Sequence, residues 1–151
     1  MLACISIDSN LLFFITNYFV KPQIQKTFFL GDEVISGLSL EKKMQLFKKL
    51  CEREGFDEHT VKETIARIKF VQELRNKVAH WERFSIAGDI VLKKPKSYMS
   101  EKDTVKLDDK TMELLEQNRV AAQTGINQFY LQYQKEGTID ERSTSLENRK
   151  G

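Results

Sequence analysis

The chain is short of the residues from which metal sites, disulfide frameworks and nucleophilic triads are built. It has two cysteines, Cys4 and Cys51, and two histidines, His59 and His80. Two cysteines make neither a disulfide framework nor a zinc-ligand set. Both sit in apolar, helical-looking sequence, where buried free thiols are expected, and that usage fits a reducing cytoplasm. There is no Gly-rich phosphate loop and no Cys–His–Asp arrangement, so neither a metal nor a cofactor is expected. Charge of one sign is missing as well. With 24 Lys and Arg against 22 Asp and Glu, the formal net charge is only +2, and no global field announces nucleic acid.

A long hydrophobic run is also absent. The nearest approach is "LLFFITNYFV", residues 11 to 20, which is too short to span a membrane and is interrupted by Thr16 and Asn17. Asp8 and Asn10 stand where a secretory signal would place basic residues, and no small-residue cleavage site follows. Leu11, Phe14, Ile15, Tyr18 and Phe19 instead recur at the spacing of one face of a buried amphipathic helix. The expectation is a soluble, cytoplasmic chain with no membrane contact.

What is present is ordinary globular composition, 40% hydrophobic and 30% charged over 151 residues. A single domain of that length buries roughly 70% of its unfolded surface. A first helix is expected over residues 3 to 20, ending before Pro22. Ser39 is the N-cap of a second, with Leu40, Met44, Phe47 and Cys51 as its apolar stripe and Gly55 as its stop. A third starts near Asp57 or Thr60, where "TVKE" reads as a capping box, and runs to about Trp81. "DIVLKK" and "DTVKL" alternate at period two around "PKSYMSEK", which predicts a short exposed β-hairpin between about residues 88 and 107. Asp108 or Asp109 then caps a fourth helix, with Met112, Leu115, Ala122, Ile126, Phe129 and Tyr133 facing inward and Gly137 ending it. The expected fold is all-α: a four-to-five-helix up-and-down bundle over residues 1 to 136, carrying a hairpin insertion before its last helix. Residues 137 to 151 have almost no apolar content and read as a flexible tail.

The third helix ends in "VQELRNKVAHWERF", residues 71 to 84. On a wheel of about 100° per residue with Arg75 at zero, Phe70, Val71, Leu74, Val78 and Trp81 fall between roughly 220° and 320°. Asn76 lies at about 100° and His80 at about 140°, off that core stripe and stacked as an i, i+4 pair. Arg75 is too far round the cylinder for an easy pairing with His80 in one straight helix. Two copies of the helix meeting across a two-fold axis would bring arginines and histidines together. Such a set suits RNA cleavage, because RNA carries its own nucleophile in the 2′-hydroxyl. Histidine, with an ordinary pKa of about 6.5, suits proton transfer at neutral pH. An arginine fork suits a phosphate whose charge grows in the transition state, and an asparagine amide can position the histidine or the arginine, or contact the ribose.

The phrase "RNKVAH" resembles the R-x4-6-H motif of the HEPN family, with a polar residue directly after the arginine. That resemblance implies a small helical bundle. It also implies a metal-independent endoribonuclease, typically a toxin of a toxin–antitoxin or phage-defence system, whose site forms at a homodimer interface. It makes Arg75, Asn76 and His80 the catalytic set, RNA the substrate and an antitoxin protein a possible partner. Arg53 and His59 share the spacing, but Gly55 breaks the helix between them and Glu54 follows the arginine. A non-catalytic helical module for dimerisation or for nucleic-acid or nucleotide binding is the alternative, and an adaptor bundle with an incidental "RNKVAH" is a third reading. Lys69 and Glu73 read as a solvated i, i+4 pair. "KKPK" at 93 to 96 is a solvated turn or a guide for RNA phosphates, beside which Tyr98 could stack on a base.

Overall fold

The computed structural model describes the backbone of residues 2–19, 30–96 and 103–147, with their side chains except those of Leu2, Asp32 and 136–147. Four helices form the body: α1 (Leu2–Phe19), α2 (Leu40–Arg53), α3 (Glu58–His80) and α4 (Asp109–Glu147). One turn of π-helix, Leu30–Ile35, precedes α2. Between α3 and α4 stand three strands, β1 (Glu82–Ile86), β2 (Asp89–Lys93) and β3 (Thr104–Lys106).

Local chemistry sets the helix ends. Ser39 caps α2 by accepting from the Lys42 N–H at 3.3 Å. At its other end Gly55, at φ +70°, takes the left-handed conformation that glycine adopts most easily. Its N–H donates to the Glu52 carbonyl and that of Phe56 to the Cys51 carbonyl, the paired bonds of a Schellman stop. The capping box expected at Thr60 and Glu63 does not form. Asp57 is the cap, accepting from the Thr60 N–H at 2.8 Å and the Thr60 hydroxyl at 2.6 Å. Glu63 pairs instead with Arg67 one turn on, because Asp57 already satisfies the donor the box would serve. Asp108 caps α4 through the Thr111 N–H at 2.8 Å. That helix passes through Gly137, its expected stop, and reaches Glu147. A glycine within a helix costs about 1 kcal/mol and does not by itself end one.

Contacts between helices give their directions. Lys43 of α2 binds Asp8 of α1 at 2.8 Å, Phe14 meets Phe47 with ring centres 5.1 Å apart, and Tyr18 hydrogen-bonds Glu54. Both helices therefore run the same way. Ser6 bonds Gln123, Phe13 packs on Tyr130 and Tyr18 on Tyr133, so α4 is parallel to them. Only α3 is reversed, with Thr64 against Gly125 and Arg67 bonded to Asn118. The order is up, up, down, up rather than strict alternation. The connector after α1 makes this possible, since returning along an 18-residue helix needs only roughly 27 Å of chain.

The core lies among the four helices. Ile7, Leu11, Phe14, Met44, Phe47, Ile68, Val71, Ala122 and Ile126 are at most 2% exposed. Lys43, also 2% exposed, makes two bonds to the Asp8 carboxylate, the pairing a buried ammonium requires. Cys51 is fully buried, and burial pushes its thiol up to about 12. Cys4 is only half-buried. Three residues assigned to buried stripes face out instead: Phe19 at the end of α1, Val78 at the end of α3 and Met112 at the start of α4 are 52%, 43% and 51% exposed. Each lies in a terminal turn, where the periodic pattern continues past the neighbour that would cover it.

The predicted hairpin is there, with β2 and β3 antiparallel and Leu92 opposite Val105. The sequence reading missed β1, which pairs antiparallel with β2 and makes the sheet three-stranded, in the order β1-β2-β3. Ala87 (φ +51°) and Gly88 (φ +89°) form the tight turn between them, the two-residue left-handed geometry that suits strand twist. Leu92 is the sheet's buried residue, while every residue of β1 is exposed.

Candidate functional site

The parallel arrangement gathers the starts of α1, α2 and α4 and the end of α3 at one end of the bundle, beside the sheet. Arg75, Asn76 and His80 all lie there. The α3 helix stays regular to His80, and the Trp81 N–H then bonds the Lys77 carbonyl at 2.9 Å as the chain turns extended at Trp81. Lys77 stands over the Trp81 ring at 5.3 Å, steadying this junction. His80 is therefore the last helical residue before the chain turns into β1.

Arg75 is exposed, and its Nη1 donates to Asn76 Oδ1 at 3.0 Å. Among the described residues no carboxylate pairs with Arg75, so its remaining donors are open to an anion. Asn76 thus holds the guanidinium, one of the two orienting roles the sequence suggested for it. His80 is exposed, as are Val78 and Ala79. Arg75 and His80 form no hydrogen bond with each other, as the wheel predicts. The structure joins Arg75 to Asn76 and leaves His80 apart within one copy of the chain.

Two cavities flank Arg75, and nothing in the sequence had pointed to either. One, of about 380 Å³, is lined by Cys4, Asp8, Ser39, Glu41, Gln72 and Arg75. The other, of about 410 Å³, lies between the start of α1, the end of α3 and the start of α4, against Val71, Leu74, Val78, Met112 and Leu115. Cavities arise from how three elements fail to close on one another, and no local spacing encodes that. Cys4 stands in the wall of both, its Sγ 3.6 Å from the Val71 carbonyl. Burial raises the Cys4 thiol, and Arg75 opposes that rise.

The other sequence candidates lie elsewhere. His59 is exposed in the first turn of α3 and Arg53 is exposed at the end of α2, with Gly55 between them. Lys69 and Glu73 are both exposed on α3. Of "KKPK", Lys93 binds Glu82 across the sheet at 3.0 Å, and Lys94 and Lys96 are exposed; Tyr98 lies outside the described residues. Among the described residues no group of three His, Cys, Asp or Glu could hold a metal ion, and no helix is long and apolar enough to cross a membrane. No family model, no curated protein and no solved structure matches this chain.

Proposed function

We propose that the chain is a HEPN-like, metal-independent endoribonuclease that works as a homodimer, in the cytoplasm, as a toxin of a defence or toxin–antitoxin system. The observation that carries the reading is the disposition of "RNKVAH". Its arginine is held by Asn76 and otherwise unpaired among the described residues, and its histidine is exposed at the end of α3. In this mechanism His80 moves protons to and from the 2′-hydroxyl and the leaving 5′-oxygen. Arg75 neutralises the phosphate as its charge grows, and Asn76 positions Arg75. A second copy, its α3 end facing the first, supplies the proximity that one copy lacks. The exposed Val78 and Ala79 give that approach an apolar surface.

The products are a 2′,3′-cyclic phosphate or a 3′-phosphate and a 5′-hydroxyl. The test is incubation of purified protein with structured RNA in EDTA, beside His80→Ala and Arg75→Ala variants. Cleavage by wild type that each substitution abolishes supports the mechanism; cleavage that survives in both rejects it. The separation of Arg75 from His80 within one protomer favours a second reading, a non-catalytic binding module. Failure of the wild type to cut several RNAs would select it.

A further inference from the structure

Beyond the ribonuclease reading, the larger cavity beside Arg75 has the chemistry of a ligand site. It shares Arg75, Val78 and Ala79 with the proposed cleavage and dimer surface, so a ligand held there would compete with RNA, and its binding is measured in the absence of RNA. Its volume of about 410 Å³ falls within the range that holds small organic ligands. Among its ten lining residues Arg75 is the only charged one, and no acidic residue is present. The rest of the wall is aliphatic or sulfur-bearing, from Val71, Leu74 and Val78 on α3 to Met112 and Leu115 on α4. Aromatic rings, on which a nucleobase would stack, are absent from that wall. The neighbouring cavity, which Arg75 also lines, differs, since two carboxylates line it: Glu41, and Asp8, already bonded to Lys43.

An apolar hollow with one cation, and no carboxylate to neutralise it among the described residues, is complementary to a hydrocarbon that ends in a negative charge. We infer that this cavity binds an aliphatic carboxylate of medium chain length, its tail between α3 and α4 and its carboxylate on the Arg75 guanidinium. The fork geometry suits a carboxylate bidentately, and Asn76 already fixes one of its nitrogens. Met112, half-exposed at the rim, is an unbranched side chain able to close over a flexible tail.

Isothermal titration of the full chain with decanoate, below its micelle-forming concentration, tests this. Saturable one-to-one binding is expected. Octanoate, two methylenes shorter, should bind about fifteenfold more weakly, because each buried methylene is worth about a factor of four. Decyltrimethylammonium, with the opposite charge, should not compete. Arg75→Ala should weaken decanoate at least about tenfold while Arg75→Lys, a point charge without the fork, restores only part of that loss, and Val78→Asp should abolish binding. Both positions are exposed, so the variants should melt like the wild type. Bound decanoate should also slow alkylation of Cys4, the half-buried thiol in the wall, while Cys51 is fully buried. Absence of saturable binding overturns the proposal. So does equal binding of the cationic amphiphile, or unchanged affinity in Arg75→Ala.

Discussion

The two ends of the bundle are built to different rules. At one end Tyr18 bonds Glu54 and packs on Tyr133, while Phe56 stacks on Phe129 with ring centres 5.0 Å apart. There the Tyr18 hydroxyl, partly buried and donating to Glu54, is pushed up to about 12, so it stays protonated across the physiological range. At the other end the last turn of α3 exposes Val78, Ala79 and His80, Arg75 has no carboxylate partner among the described residues, and two cavities open. One end holds the fold together, and the other presents groups that the fold does not need. Close packing and exposed, unneeded groups are separated along the bundle axis, so substitutions at the two ends should fail in different ways.

The widest split is expected between activity and stability. His80→Ala should cut RNA cleavage by about 10²–10⁴-fold while changing unfolding free energy by less than about 0.5 kcal/mol, as for surface positions generally. Parallel rate assays and urea titrations measure both. At the packed end the pattern should reverse. Phe129→Ala removes a ring that is 4% exposed and lies between Phe47 and Phe56, and should cost about 3–5 kcal/mol in a urea titration. A smaller loss is expected midway, where α3 and α4 cross closely. A Cβ added at Gly125 would lie 2.3 Å from Thr64 Oγ1, so Gly125→Ala should cost about 1–3 kcal/mol. Adding Thr64→Ala should return part of that loss, since the two positions share one contact.

The smallest effect concerns acid. Hydrogen bonds from Thr60 hold the Asp57 carboxyl below the usual carboxylate range, and those from Thr111 do the same for Asp108. A depressed folded-state pKa contributes stability above the unfolded value of about 3.9, and that stability is lost as pH falls through the folded value. Melting temperature should therefore drop as pH goes below about 4. The Asp57→Asn, Asp108→Asn double variant, which keeps the caps without titrating, should show a shallower drop.

Much of the helical frame was legible because it rests on local chemistry. Ser39, Gly55 and Asp108 set helix ends through bonds within a few residues, and α1 and α4 bury most of the stripes their periodicity marks. What escaped the sequence depends on distant parts of the chain. The parallel course of α1 and α2 shows only in contacts between them, such as Lys43 with Asp8 and Phe47 with Phe14, far apart in sequence. Strand β1 is exposed throughout, and its "ERFSI" follows directly on helical sequence, so only the alternation of Phe84 and Ile86 before Ala87–Gly88 hinted at it. The apolar period of α3 runs on to Val78 although α4 and the sheet stop short of covering it. For the candidate site, spacing foretold that Arg75 and His80 would not meet within one helix. It could not foretell the cavities beside Arg75, nor which of its neighbours Asn76 would hold.

The central claim is that Arg75 and His80 act together from different copies of the chain. Mixing purified Arg75→Ala and His80→Ala proteins, each inactive alone, tests it most directly, under conditions where subunits exchange. A site shared between copies predicts that the mixture regains a measurable fraction of wild-type RNA cleavage in EDTA, because one copy supplies the arginine and its partner the histidine. A mixture as inactive as its components, with exchange verified by size and tag capture, would contradict it.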